Sequence, residues 1–224
     1  MPAGSIFWSM LAITAALSAC PACAQLTPAQ YPFGQQLSAG KILVANEKLG
    51  DPNFNESVVL ILQYKEDEGA LGLVINHRTD LPLSRVFPDI KNADSDPVFM
   101  GGPVEITGGQ ALLRSADSKT AVTHILDDVY ATGSKDMIEK SVAARLPASK
   151  FRLYLGYAGW GKSQLEAEIK LGAWLVRVGT PGIVFDQNPD SLWTRLIRES
   201  HSQMASNRES IFLLLKNGVL AGHH

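Results

Sequence analysis

From Lys41 onward the chain alternates short apolar runs with polar breaks, and the runs are of strand rather than helix length. Ile42–Ala45 predicts a first strand. Val58–Tyr64 (VVLILQY) and Ala70–Asn76 (ALGLVIN) predict two more, joined by the charged turn KEDEG that ends in Gly69. Leu83–Phe87 fits a single helical turn closed by Pro88. Pro97–Met100 and Gln110–Arg114 are further apolar runs, and Gly101-Gly102-Pro103 lies between them. A short run, Val129–Ala131, precedes Ser134, which predicts the N-cap of a helix reaching about Leu146 and stopped by Pro147. Phe151–Ala158 predicts a strand and Ser163 the opening of a helix. Trp174–Val178 and Ile183–Phe185 predict two more strands. Asn188-Pro189 then starts a helix with Pro in its first turn, and Leu192, Trp193, Leu196 and Ile197 share one face. Strands outnumber helices and arrive in runs. That predicts a single α+β domain with a mixed or antiparallel sheet, not a doubly wound parallel one.

The pattern before Lys41 is different. No charged side chain occurs there, and Ile6–Leu17 (IFWSMLAITAAL) is apolar apart from Ser9 and Thr14. That length is too short for a membrane-spanning helix and fits the h-region of a signal peptide over residues 1–24. Ala22-Cys23-Ala24 offers an A-x-A cleavage site. Leu17-Ser18-Ala19-Cys20 resembles a lipobox that would lipidate Cys20 and make it the mature N-terminus. Both routes predict export, to the periplasm or to a lipid anchor on the envelope; the alternative is a cytoplasmic chain with a helical N-terminus. Cys20 and Cys23 also satisfy C-x-x-C, but no strand precedes them and no helix periodicity follows, so the redox reading lacks its context. Residues 25–39, with Pro28, Pro32 and Gly34, read as a linker, residues 40–203 as the domain and 204–224 as a C-terminal extension. Within the extension, Ile211–Leu215 is too short to span a membrane; it is expected to pack on the domain or to form a homodimer contact.

Composition narrows the function classes. Twenty Lys+Arg against 22 Asp+Glu give a net charge of −2, with no basic run. Nucleic-acid binding normally needs a basic footprint, so it is not expected. Two cysteines cannot build a disulfide framework or a four-ligand zinc site.

The ordered segments GKILVA (40–45), DPNF (51–54), GALGLVIN (69–76), DPVFMGGPV (96–104), LGYAGW (155–160), QLEAEI (164–169), GAWLV (172–176) and FD (185–186) resemble the YqgE/AlgH family of bacterial proteins. The resemblance implies an α+β fold with a bent, partly barrel-like mixed sheet flanked by helices, and it brings no established reaction. One branch of that family is labelled a transcriptional regulator, yet no helix-turn-helix pattern or basic patch supports DNA binding here. Members are generally cytoplasmic and start near the first strand, whereas this chain has a signal-like extension. They tend to carry Glu-His where this chain has Gln63-Tyr64.

Candidate chemistry is sparse. Gly156–Ser163 (GYAGWGKS) matches G-x-x-x-x-G-K-[ST], and Gly182–Asp186 has the apolar-then-Asp form of its acidic partner, so a P-loop-like nucleotide binder is the alternative function. Against it stand the bulky Tyr157 and Trp160, the short remaining chain, and Ser163 with Glu166 as a competing capping box. Gly101-Gly102-Pro103 predicts either a tight turn or a place where backbone N–H groups face a cleft. With Gly159 and Trp160 it forms the candidate binding surface. Trp160, Trp174 and Trp193 otherwise read as core or rim aromatics. Glu166 and Glu168 are two apart and point to different helix faces, and His77, His124 and His201 are isolated. No catalytic residue, metal or cofactor is expected. The expectation is a non-catalytic regulatory or envelope interaction module with a protein or small-molecule partner.

Overall fold

The computed structural model describes residues 37–220 apart from 92, 94–95 and 115–121, and gives the backbone alone at 207–208, 211–212 and 214–220. The expected signal segment with Cys20, and most of the expected linker, lie outside the described residues. The strands are β1 (Lys41–Ala45), β2 (Val58–Lys65), β3 (Gly69–Val74), β4 (Arg78–Pro82), β5 (Pro97–Met100), β6 (Val104–Arg114), β7 (Thr123–Leu126), β8 (Val129–Thr132), β9 (Phe151–Trp160) and β10 (Trp174–Val178). The helices are α1 (Leu83–Val86), α2 (Lys135–Ala143), α3 (Gln164–Lys170), α4 (Pro181–Val184) and α5 (Leu192–Leu220).

The strands form one sheet in the order β10-β1-β2-β3-β9-β6-β8-β7, with β5 beside β9 and β4 beside β5. Neighbours are antiparallel except β5 and β9, which run parallel, so the sheet is mixed. It curls until its ends meet. The Gly179 amide, just past β10, donates to the Gly40 carbonyl (3.0 Å) before β1. A Cβ at Gly40 would lie 3.0 Å from the carbonyl oxygen of Ile125 on β7. The result is the α+β domain that the sequence pattern predicts, with the bent, partly barrel-like sheet that the family resemblance implies.

Both faces of the sheet are covered, which explains why its apolar runs are continuous instead of alternating. On β1, Ile42 and Val44 join a core with Leu60, Leu73, Tyr154 and the Leu192, Leu196 and Ile197 face of α5. Leu43 and Ala45 point the other way, into a core with Val59, Trp160, Leu165 and Trp174 under α3. A third cluster, including Ala111, Leu113, Ile138 and Leu153, lies under α2. Each fully buried Leu or Ile contributes roughly 1.5–3 kcal/mol by leaving water.

Two local predictions are corrected, and β4 is a strand that the sequence does not predict. Ile183–Phe185 is not a strand: Thr180 caps α4, its Oγ1 accepting from the Ile183 amide at 3.3 Å, and Pro181 presets the first turn. β4, with the sequence RTDLP, carries no apolar signal and forms because β5 lies beside it. Ser163 does not cap α3; it sits in the left-handed region (φ 60°) and makes no side-chain capping bond. The Gln164 carboxamide accepts from the Gly161 amide instead (3.1 Å). Ser134 does cap α2, accepting from the Met137 amide at 3.5 Å.

Candidate binding recess at the glycine corner

β5 ends at Met100, and the chain turns through Gly101-Gly102-Pro103 into β6. The turn is stitched to the strands on either side. The Gly101 amide donates to the Leu155 carbonyl of β9 (2.7 Å), and the Gly101 carbonyl accepts from the Val74 amide of β3 (2.8 Å). Gly101 therefore does not offer a bare N–H. Gly102 has φ 151°, and a Cβ there would sit 2.2 Å from the Tyr157 carbonyl carbon. Across from it Gly156 has φ 69°, and its Cβ would lie 2.4 Å from the Gly102 carbonyl oxygen. Two backbones approach here more closely than any side chain permits.

The turn forms one wall of a recess of about 180 Å³ lined by Asn53, Val74, His77, Met100, Gly102 and Pro103. Asn53 is held in place by Asp51, whose Oδ1 accepts from the Asn53 amide (2.9 Å) and Nδ2 (3.0 Å). Behind the recess, Asn76 is buried: its Oδ1 accepts from the Val58 amide (2.8 Å), and its Nδ2 donates to the Glu56 carbonyl (2.9 Å). The His77 carbonyl accepts from the Met100 amide (2.9 Å). Its ring Nε2 lies 3.4 Å from Ser57 Oγ, and burial holds the ring below the usual histidine pKa. Ser57 is fully buried, and among the described residues no carboxylate hydrogen-bonds His77. The pair lacks both the access and the orienting acid that a nucleophile needs. Met100 in the lining is 37% exposed, and Val104 and Ile106, one and three residues past Pro103, are apolar and exposed too, at 37% and 55%.

The other candidate residues lie elsewhere. Gly159 is exposed on β9 opposite Leu71. Trp160 is only 5% exposed; it stacks on Phe54 (5.9 Å) and meets Trp174 edge-on (5.8 Å). The Glu168 carboxylate accepts from both indoles, at 2.9 Å from Trp160 and 2.7 Å from Trp174. Glu166 faces away toward Tyr64, whose hydroxyl donates to it at 2.6 Å. That hydrogen bond, with burial and the acidic surroundings, pushes the Tyr64 hydroxyl up to about 12. His77 reads as isolated in the sequence, and Asn53 and Met100 were not singled out, although all three stand in or beside three of its motifs.

The phosphate-loop match is overturned by geometry. Gly156–Trp160 is strand, paired with β3 and β6, so its amides cannot curl around phosphate. The supposed acidic strand is α4. Lys162 is exposed and pairs with Asp67 (3.1 Å). Among the described residues, no cluster of three His, Cys, Asp or Glu could hold a metal ion, and no helix is long and apolar enough to cross a membrane.

Known proteins share this framework. The AlgH-like family model DUF179 matches residues 42–205. A UPF0301 protein of Ruegeria pomeroyi is 36% identical over 167 residues, covering 71% of this chain and 89% of that protein. One from Thioalkalivibrio sulfidiphilus is 37% identical over 188 residues, covering 82% and 95%. Among solved structures, the AlgH protein of Pseudomonas aeruginosa aligns with a TM-score of 0.58 at 31% identity over 75% of this chain and 92% of that one. Protein DIP2367 of Corynebacterium diphtheriae aligns at 0.61 with 22% identity, over 74% and 88%. The chain belongs to the AlgH-like family.

Proposed function

We propose that the chain is a non-catalytic interaction module that acts outside the cytoplasm, tethered through Cys20 or released by cleavage after Ala24, and that it engages a partner protein at the glycine-corner recess. The observation that carries this reading is convergence. Three separate motifs, DPNF, GALGLVIN with its following His77, and DPVFMGGPV, contribute to one recess that exposes Met100, with the exposed Val104 and Ile106 just beyond it in the chain. Exposed apolar groups around a small polar-floored recess favour association over chemistry. The buried Ser57, and a His77 ring without a carboxylate partner among the described residues, support the same view. The Ile211–Leu215 segment, on the last turns of α5, is a second contact region for a homodimer; Leu213 is 50% exposed there.

Two measurements test it. A reporter enzyme active only outside the cytoplasm, fused after the whole chain, should be active, and Cys20→Ala should release the protein from membranes if the tether is lipid. A photo-crosslinking residue at position 100 should give discrete adducts in cells, while one at the 86% exposed Leu171 should give none. Equal crosslinking at both positions, or a reporter silent in every fusion, would overturn the reading.

A further inference from the structure

A second cavity lies near the other end of β5, and its unusual member is Arg152 on β9. Arg152 is only 6% exposed, and so buried a cation is normally neutralised by a carboxylate. Among the described residues none lies within ion-pair distance. Its Nε donates to the Ala148 carbonyl (3.2 Å), its Nη1 to the Val184 carbonyl (3.2 Å) and its Nη2 to the Asp186 carbonyl. The faces of the guanidinium are covered by the rings of Phe99 (5.1 Å) and Phe185 (5.6 Å). Of the neighbouring acids, Asp186 pairs with Arg195 at 2.7 Å and Asp190 with Arg78, while Asp96 shares the cavity lining without reaching ion-pair distance of Arg152.

A guanidinium carries five N–H donors, so three carbonyl bonds leave two for other partners. Two residues along the same strand, the buried Tyr154 hydroxyl lies against the guanidinium and, among the described residues, has no acceptor of its own. Burial pushes its pKa up to about 12, which keeps it a neutral donor at physiological pH. The charge of Arg152 is thus held in low dielectric, with spare donors, on the wall of a cavity of about 170 Å³ shared with Arg78, Asp96, Phe99 and Ala148.

We propose that this cavity binds a carboxylate, with the Arg152 guanidinium as the charge that recognises it. A planar carboxylate matches the fork of a guanidinium in two parallel hydrogen bonds. Asp96 on the same lining opposes a second negative charge, so a monoanion fits better than a phosphate dianion. The volume suits a small organic acid or the end of a peptide chain. The site is independent of the glycine-corner recess.

The test is thermal unfolding of the full chain at pH 7 and constant ionic strength. Probes are sodium acetate, inorganic phosphate, and tri-alanine with a free or an amidated C-terminus, with sodium chloride as reference. Acetate or free tri-alanine, in large excess over its Kd, should raise Tm by a few degrees, while chloride and the amidated peptide should not. A response to acetate names a small acid as the ligand class, and a response to the free peptide alone names a chain terminus. Ala148→Leu fills the cavity and leaves the guanidinium in place, so it should remove the response. The wild-type Arg152 Nε–H resonance, followed by NMR during the acetate titration, reads the same event without any substitution. No rise above chloride with an unmoved resonance, a larger rise with phosphate, or a response that survives in folded Ala148→Leu would overturn the proposal.

Discussion

The corner Gly101–Pro103 and the segment Gly156–Ser163 are both rich in glycine, and they touch each other, but they continue differently: the corner lines a recess, and the segment runs on as strand. At their contact the glycines have one purpose. Gly102 and Gly156 let two backbones meet where a Cβ would fall 2.2–2.4 Å from main-chain atoms. Past that contact the two segments part. Beyond the corner, the chain bulges: β6 places Val104 opposite Tyr157 and Gly109 opposite Leu155, so four residues loop outward and expose Ile106. Beyond Gly156, β9 stays extended to Trp160 and buries its indole. Glycine content reports close packing in both segments, and the recess lies where the neighbouring chain leaves the sheet.

The largest effect should come from breaking that contact. In Gly102→Ala or Gly156→Ala the new methyl meets main-chain atoms that cannot swing aside, and at Gly156 the positive φ adds strain of its own. Each substitution should cost about 3 kcal/mol or more in denaturant unfolding. A loss below about 1 kcal/mol at both positions would mean that the backbones separate easily and that the recess has no rigid wall.

Much of the fold is legible in the chain because burial on both faces writes long apolar runs into β1, β2, β3 and β9. Elements stabilised from outside themselves are not. β4 (RTDLP) has no pattern of its own and depends on β5. Ile183-Val184-Phe185 looks like a strand because its residues are β-branched and aromatic, but the cap from Thr180 and the fixed φ of Pro181 prevail. The recess was half legible. Its glycine corner stood out, whereas His77 looked isolated because Ser57 lies twenty residues away in the chain. Arg152 gave no signal at all: its surroundings come from Val184 and Asp186, 32 and 34 residues further on.

The two serines ahead of α2 and α3 sharpen the comparison. Ser134 is a working cap, so Ser134→Ala should lose about 1 kcal/mol. Ser163 occupies the left-handed region without a capping bond, so Ser163→Ala should change little. Ser163→Gly should stabilise by up to about 1 kcal/mol, because glycine removes the strain of the positive φ. If Ser163→Gly destabilises and Ser163→Ala costs as much as Ser134→Ala, then the hydroxyl caps α3 after all.

His77 gives the recess a pH signature of its own. Burial lowers its pKa in the folded chain below the ordinary value of 6.5. Above 6.5 the ring is neutral in both folded and unfolded states, and its contribution to stability is fully present. As pH falls below 6.5 the unfolded chain takes up the proton first, so stability declines until the folded ring is also protonated. In His77→Gln this part of the pH profile should flatten. A slope identical to wild type between pH 6.5 and 5 would show that the ring is not held neutral.

The smallest expected change is at Lys162, the residue on which a phosphate loop would depend most. Its ammonium is 63% exposed and pairs with Asp67, itself 90% exposed, at 3.1 Å. Water screens such a pair, and holding two long side chains together offsets most of the attraction, so Lys162→Ala should shift stability by less than about 0.5 kcal/mol. Nucleotide should matter equally little. The amides of Gly156–Trp160 lie along a strand engaged with β3 and β6, and freeing them to surround a triphosphate would unzip β9, the strand on which both halves of the sheet meet. Binding would have to offset that loss before any stabilisation appeared. Millimolar Mg-ATP or Mg-GTP should therefore leave Tm unchanged in wild type and in Lys162→Ala alike. A rise of several degrees in wild type that disappears in Lys162→Ala would mean that β9 peels open at its end, and the contrast between the two glycine-rich segments would fail.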